Sequence, residues 1–285
     1  MRCVGEPSDA ATRRRGLART ANIEVIPLRG VAAQLADIPP TTTITVTCSP
    51  KFGIGRTVEF TELAARAGYH VVPHVAARQV ADRAELRSIV DRLAGAGVRD
   101  VYVIGGDAAT PTGEFASAGD LLGALATMDH PFPEVGIAGY PEGHPKIADA
   151  ELLEALRLKQ KHATYLVSQL CFDSAVLLGW LRETRRQGIT LPLRVGVAAP
   201  IDTRKLVELA LRIGVGSSLR YLSKQHGLLG SVLRGGAYRP EQLLDDIAST
   251  PDLDELGIDK VHLYSFNQIA ATVEWQRRVS GTRAA

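Results

Sequence analysis

Cysteine is scarce in this 285-residue chain: Cys3, Cys48 and Cys171 are odd in number and far apart. They cannot build a disulfide framework, and no C-x-x-C pair offers a zinc site. A reducing, cytoplasmic setting is the expectation that follows. Long apolar runs are also missing. Without a run of about 18 residues, no membrane-spanning helix is expected. No G-x-G-x-x-G follows an early strand with an acid about 20 residues on, which argues against a Rossmann-type domain. Charge of one sign is absent as well. The formal net charge is +2. Arg2, Arg13, Arg14, Arg15 and Arg19 against Glu6 and Asp9 place +3 in residues 1–20 and leave −1 for the rest. The folded part therefore has no basic surplus to favour nucleic acid. No apolar segment follows Arg15 to serve as a signal core, so residues 1–20 are expected to form a flexible basic leader.

What is present is ordinary globular usage, 45% apolar and 22% charged, which excludes disordered, collagen-like and coiled-coil classes. Eight short β-rich runs recur: Asn22–Pro27, Thr43–Cys48, His70–Ala76, Asp100–Gly106, Glu134–Pro141, Tyr165–Phe172, Leu193–Pro200 and Lys260–Asn267. Most are continuously apolar rather than alternating, as expected for parallel strands covered on both faces. Helical spacing fills the gaps over Thr57–Ala67, Arg83–Ala96, Ala150–His162, Ser174–Gln187 and Thr203–Arg212. Gly68, Gly97 and Gly188 stand where three of these helices should stop. Regular alternation of strand and helix over about 250 residues predicts an α/β fold, a single-domain (β/α)8 TIM barrel. Its expected limits are residues 21–278, with 279–285 a short tail. The long seventh gap holds the excursion Gly214–Gly236, in which Arg220, Lys224 and Arg234 could meet an anionic group or lie on a solvated helix.

Chemistry in this fold sits at the C-terminal strand ends. Those ends carry Glu24, Thr47, His74, Asp107, Tyr140, Glu142, His144, Gln169, Asp173, Ser265 and Asn267. Each alone has a structural explanation: Asp107 could cap a turn, His74 could be a bonded core residue, and Gln169 could satisfy nearby backbone. A carboxylate within a central strand, such as Glu24, is costly to bury without a role. Together the set reads as a pocket for a polar organic ligand. It does not read as a metal site, because the histidines and acids form no tight ligand cluster in the sequence.

At these residues the chain resembles the methylenetetrahydrofolate reductase family. Ala138–Pro145, AGYPEGHP, is similar to the family's A-x-Y-P-E-x-H-P after strand five. Pro73-His74, Gly106-Asp107, the LKQK of Leu158–Lys161, the SQLCFD of Ser168–Asp173 and the HLYSFN of the eighth strand follow in family order. The resemblance implies a (β/α)8 enzyme of one-carbon metabolism and methionine biosynthesis. It would reduce 5,10-methylenetetrahydrofolate to 5-methyltetrahydrofolate with NADH or NADPH. It implies roles residue by residue: Glu24 is the general acid, Asp107 holds the pterin, and Gln169 contacts folate and nicotinamide. Thr47, His74, Gly106, Tyr140, His144 and Lys161 lie on the cofactor side, and Asn267 and Gln268 on the folate side. The implied partner is a small molecule, with no nucleic acid and no membrane; oligomeric state stays open.

Several departures bear on FAD, through which the family normally passes hydride. The family's R-G-D after strand four reads Gly105-Gly106-Asp107, without the guanidinium that suits a diphosphate. Gln160 replaces a basic residue between Lys159 and Lys161, and the connection after His162 is about three residues shorter than the family's, counted along the helix-to-strand join. Gln268 stands where the family usually has arginine. These changes favour a flavin-free enzyme in which NAD(P)H gives hydride directly to folate. The alternatives are an ordinary FAD-dependent reductase, in which Lys159, Lys161 or a glycine nest replaces the lost ligands, a non-catalytic folate-binding barrel, and a barrel oxidoreductase acting on another substrate.

Overall fold

The computed structural model describes residues 9–202, 204–208, 237–238 and 240–282. Eight parallel strands close into a barrel: β1 (Asn22–Val25), β2 (Ile44–Val46), β3 (Val71–Ala76), β4 (Asp100–Ile104), β5 (Glu134–Gly139), β6 (Tyr165–Ser168), β7 (Leu193–Ala198) and β8 (Ile258–Tyr264). Each strand pairs with its sequence neighbour, and β8 returns to β1, with Asn22 opposite His262 and Glu24 opposite Tyr264. The expected (β/α)8 architecture is therefore observed. The strands are shorter than the apolar runs. β1 stops at Val25 because Ile26 leaves the ladder: its N–H donates to Asn267 Oδ1 (2.8 Å), and its carbonyl accepts from Asn267 Nδ2 (3.0 Å).

The outer helices are α1 (Asp9–Arg19), α2 (Gly53–Arg66), α3 (Arg83–Gly95), α4 (Ala118–Leu125), α5 (Asp149–Lys159), α6 (Ser174–Arg186), α7 (Glu241–Ala248) and α8 (Ile269–Ser280). Their starts carry side-chain caps: Asp82 accepts from Glu85 N–H, Ser117 and Asp120 form a reciprocal capping box, and Asp173 accepts from the N–H groups of Ala175 and Val176. Asp173 thus serves as a cap. Gly68, Gly97 and Gly188 all take the left-handed conformation expected of helix stops.

Residues 9–19 correct one expectation. They are not part of a flexible leader but form α1, which packs on α7 and α8. Leu17 and Ala18 are buried, Arg14 bonds Asp245 at 2.8 Å, and Gln276 donates to the carbonyls of Ala18 and Ala21. The arginine-rich sequence hides a short apolar foot that the barrel can cover. The expected tail is also shorter, since α8 runs to Ser280. The excursion Gly214–Gly236, with Arg220, Lys224 and Arg234, lies outside the described residues, as do residues 203 and 209–212 of the expected helix Thr203–Arg212. Ile201–Asp202 and Ala237–Tyr238 flank the excursion and pair as a small antiparallel ribbon.

The barrel floor is polar. Arg194 donates to Asp100 Oδ2 (2.9 Å) and to Glu134, its guanidinium lies 3.3 Å from the centre of the Tyr165 ring, and Tyr165 donates to Asp100 Oδ1 (2.7 Å). Glycines on inward positions make room for large neighbours. A Cβ at Gly196 would stand 2.1 Å from the Ser168 carbonyl oxygen and 2.7 Å from the Tyr264 ring. Trp275 is fully buried against the outer core, a packing residue. Among the described residues, no helix is long and apolar enough to cross a membrane.

Candidate active site at the barrel mouth

Three strands bring a carboxyl group and two imidazoles together. Glu24 on β1 places Oε2 3.0 Å from Nε2 of His262 on β8 and 3.6 Å from Nε2 of His74 on β3. All three side chains are at least nine-tenths buried. The Glu24 backbone is held as well, because Ser265 Oγ donates to its carbonyl. Asn267 N–H in turn donates to Ser265 Oγ at 3.1 Å. Phe266 and Asn267 both have positive φ, 48° and 60°. The chain turns sharply here, so that Ser265 and Asn267 both grip the end of β1. Asn267 is therefore a clamp on Ile26 in this structure, rather than a side chain reaching into the mouth. Gln268 is exposed at the start of α8.

Aromatic rings wall the cluster. His74 meets Tyr102 edge-on at 4.7 Å, and His262 meets Tyr264 at 4.8 Å between ring centres. Tyr264 donates its hydroxyl proton to the Ser168 carbonyl at 3.0 Å. Burial, followed by the neighbouring Tyr140 and Glu24, pushes the Tyr102 hydroxyl well up, and burial with Tyr102 and Glu24 does the same to Tyr264. Both phenols stay protonated and can donate. Burial, then the adjacent His262, holds His74 well below the usual imidazole range, so it stays neutral.

The other expected residues are spread around the rim. Tyr140 follows β5 and stacks edge-on with His144 at 5.2 Å. Burial, then the nearby Asp107 carboxylate, raises the Tyr140 hydroxyl. Asp107 itself is exposed on the loop after β4, and Gln169 follows β6, its Oε1 accepting from Leu170 N–H at 2.9 Å. Thr47 follows β2 with its hydroxyl buried and without a hydrogen-bond partner. Lys161 is not brought to the mouth. It is exposed beyond the C-terminus of α5, whose 11 residues span about 16 Å and so carry it away from the Tyr140–His144 turn. Gln160 beside it donates to the Gly188 carbonyl at the C-terminal end of α6.

His262, Tyr102 and Tyr264 were not among the residues expected at this site. The signal was available: His262 and Tyr264 are two apart on one strand, hence on one face, and that strand pairs with the one bearing Glu24. The expectation that the histidines and acids form no tight ligand cluster is corrected here. The Glu24, His74 and His262 ligand atoms all lie within 4.8 Å of one another.

The position that would carry the family's arginine is open and uncharged. A Cβ at Gly105 would meet nothing within 4 Å. Arg78, on the neighbouring loop, donates to the carbonyls of Ala108 (2.7 Å), Ala109 (2.7 Å) and Ala116 (3.0 Å), so its guanidinium is engaged in holding the β4–α4 loop. Lys159 is half-buried at the far end of α5, and burial lowers it to about 8.

A solved lyase/mutase candidate from Burkholderia cenocepacia J2315 superposes with TM-score 0.50 at 13% identity, over 96% of this chain and 91% of that one, a likeness of fold alone. Methylenetetrahydrofolate reductase 1 of Schizosaccharomyces pombe is 31% identical over 109 residues, 35% of this chain and 18% of that protein. Methylenetetrahydrofolate reductase (NADH) 1 of Arabidopsis thaliana is 30% identical over 104 residues, 33% of this chain and 17% of that protein. The matched stretch thus spans less than a fifth of these curated relatives. The family model for methylenetetrahydrofolate reductase matches residues 42–214, more than half of the chain, and the protein belongs to that family.

Proposed function

We propose that this chain reduces 5,10-methylenetetrahydrofolate to 5-methyltetrahydrofolate by taking hydride directly from a reduced nicotinamide, without flavin. The observation that carries the reading is the buried Glu24 carboxyl, hydrogen-bonded to His262 within an aromatic wall, with its backbone carbonyl held by Ser265. Pure folate binding needs no acid held in this way. Glu24 would protonate N10 of the folate. The bond from N10 to the methylene carbon then breaks and leaves an N5 iminium cation. Asp107 at the rim would stabilise that charge. Hydride from the nicotinamide adds to the methylene carbon, giving the methyl group and the oxidised nicotinamide, and Glu24 regains its proton from solvent. The neutral His74 and the donor hydroxyls of Tyr102 and Tyr264 keep the acid in a dry, preorganised setting. NADH is the preferred donor on the strength of the Arabidopsis relative, which is named for NADH.

The flavin-free form rests on the diphosphate side. Gly105 offers no charge, Arg78 is engaged with three carbonyls, and Lys161 is an α5 length from the mouth. These residues do not fit a flavin diphosphate. The test is the visible spectrum of purified protein, repeated after adding FAD and desalting, alongside an assay with NADH and methylenetetrahydrofolate. Turnover without a flavin band is expected. A retained stoichiometric flavin band would establish the two-step flavin route instead, and folate binding without turnover would establish a binding protein.

A further inference from the structure

We propose that Glu24, His74 and His262 form a transition-metal site of the zinc class, and that occupancy of it switches the proton donor off. Two imidazoles and one carboxylate are a common donor set for zinc and related divalent ions. Tetrahedral ligands about 2.1 Å from one ion stand about 3.4 Å apart. The Glu24–His262 and Glu24–His74 distances, 3.0 and 3.6 Å, lie close to that spacing. The whole set lies within 4.8 Å, so closing the remaining edge takes about 1.4 Å at most.

Independent observations point to a ligand. Nε2 of His74 is buried, faces Glu24 and has no hydrogen-bond partner. Both rings are fixed edge-on by tyrosines, Tyr102 and Tyr264, so little orientational freedom is lost on binding. The three ligands come from three separate strands of one closed barrel, so the fold itself brings them together.

Metal and proton then compete for one carboxylate. A Glu24 bound to an ion cannot carry the proton that opens the folate ring, so zinc would inhibit the reductase.

The site can be tested without folate. Cobalt(II) is titrated into the purified full chain and its visible ligand-field absorption is followed, with zinc as competitor. Saturable absorption at one ion per chain is expected, displaced by zinc. His74→Gln and His262→Gln should each weaken binding by about tenfold or more, with circular dichroism confirming that both variants fold. His130→Gln, a surface control, should not. Absence of saturable absorption in the intact protein, or affinity unchanged in both mouth variants, would overturn the site. If a mouth variant fails to fold, zinc inhibition of the unaltered enzyme decides: inhibition reversed by a chelator supports the site, and indifference to zinc overturns it. Cobalt binding with no reduction of methylenetetrahydrofolate would count against the proposed function alone. Reduction with no cobalt binding would count against the metal site alone.

Discussion

Nε2 of His262 lies 3.0 Å from Oε2 of Glu24, across the seam where the last strand of the barrel meets the first. The two residues are 238 apart in sequence and adjacent only because the barrel closes. The carboxyl is thereby buried yet partnered, which is what a proton donor held ready in an apolar mouth requires.

Glu24→Gln keeps the size and the hydrogen-bonding capacity of the side chain but cannot give up a proton. Its kcat for methylenetetrahydrofolate reduction should fall by about a hundredfold or more, while folate affinity, measured by equilibrium titration, changes little. Equal loss of both would remove Glu24 from the acid role.

His74 sets a pH dependence of stability. Burial depresses its folded-state pKa well below 6.5. The unfolded chain therefore takes up a proton that the folded chain refuses. The contribution is fully present above about pH 6.5 and is lost as the pH falls below it. Urea midpoints measured at several pH values should decline on the acid side of that point, and His74→Phe should flatten the decline. An unchanged slope in the variant would assign the acid sensitivity elsewhere.

The floor of the barrel should be sensitive to Arg194. Its side chain and that of Asp100 are 4% and 3% exposed. Arg194→Leu leaves the Asp100 carboxyl buried without its guanidinium partner while Tyr165 still donates to it, a change of about 3–5 kcal/mol in unfolding free energy by denaturant titration. Reduction kinetics of the surviving folded enzyme should stay near normal, since the floor lies at the opposite end of the strands from Glu24.

Gly196→Ala tests the crowding beneath the mouth. The new methyl would stand 2.1 Å from a backbone oxygen of Ser168, which cannot swing aside as a side chain can. A loss of about 1–3 kcal/mol is expected from thermal unfolding, with kcat also reduced because Tyr264 is displaced. A neutral substitution would mean that β6 and β7 separate more easily than their pairing implies.

The barrel was legible in the sequence because its strands are continuous apolar runs buried on both faces, and helix stops such as Gly188 were placed by simple conformational rules. Strand ends were not. Residues such as Ile26 and Ser265 continue the apolar or β-rich pattern, yet leave the ladder for side-chain clamps that pattern cannot reveal. Glu24 and His74 stood out as polar residues in apolar runs. His262 did not enter the site, because in a run buried on both faces alternation does not say which side faces the barrel axis. Tyr102 and Tyr264 were hidden for the same reason. The helix Asp9–Arg19 was missed because its many arginines outweigh the few apolar residues, Leu17 and Ala18, by which it docks.

The clamp that Ser265 and Asn267 place on β1 has a consequence for synthesis on the ribosome. Glu24 emerges well before its partners, with His262 lying 238 residues further along the chain. Until residues 258–267 have left the exit tunnel, Glu24 has neither His262 nor the Ser265 hydroxyl. The side-chain setting proposed for proton donation therefore forms only with the long-range pairing of β1 and β8.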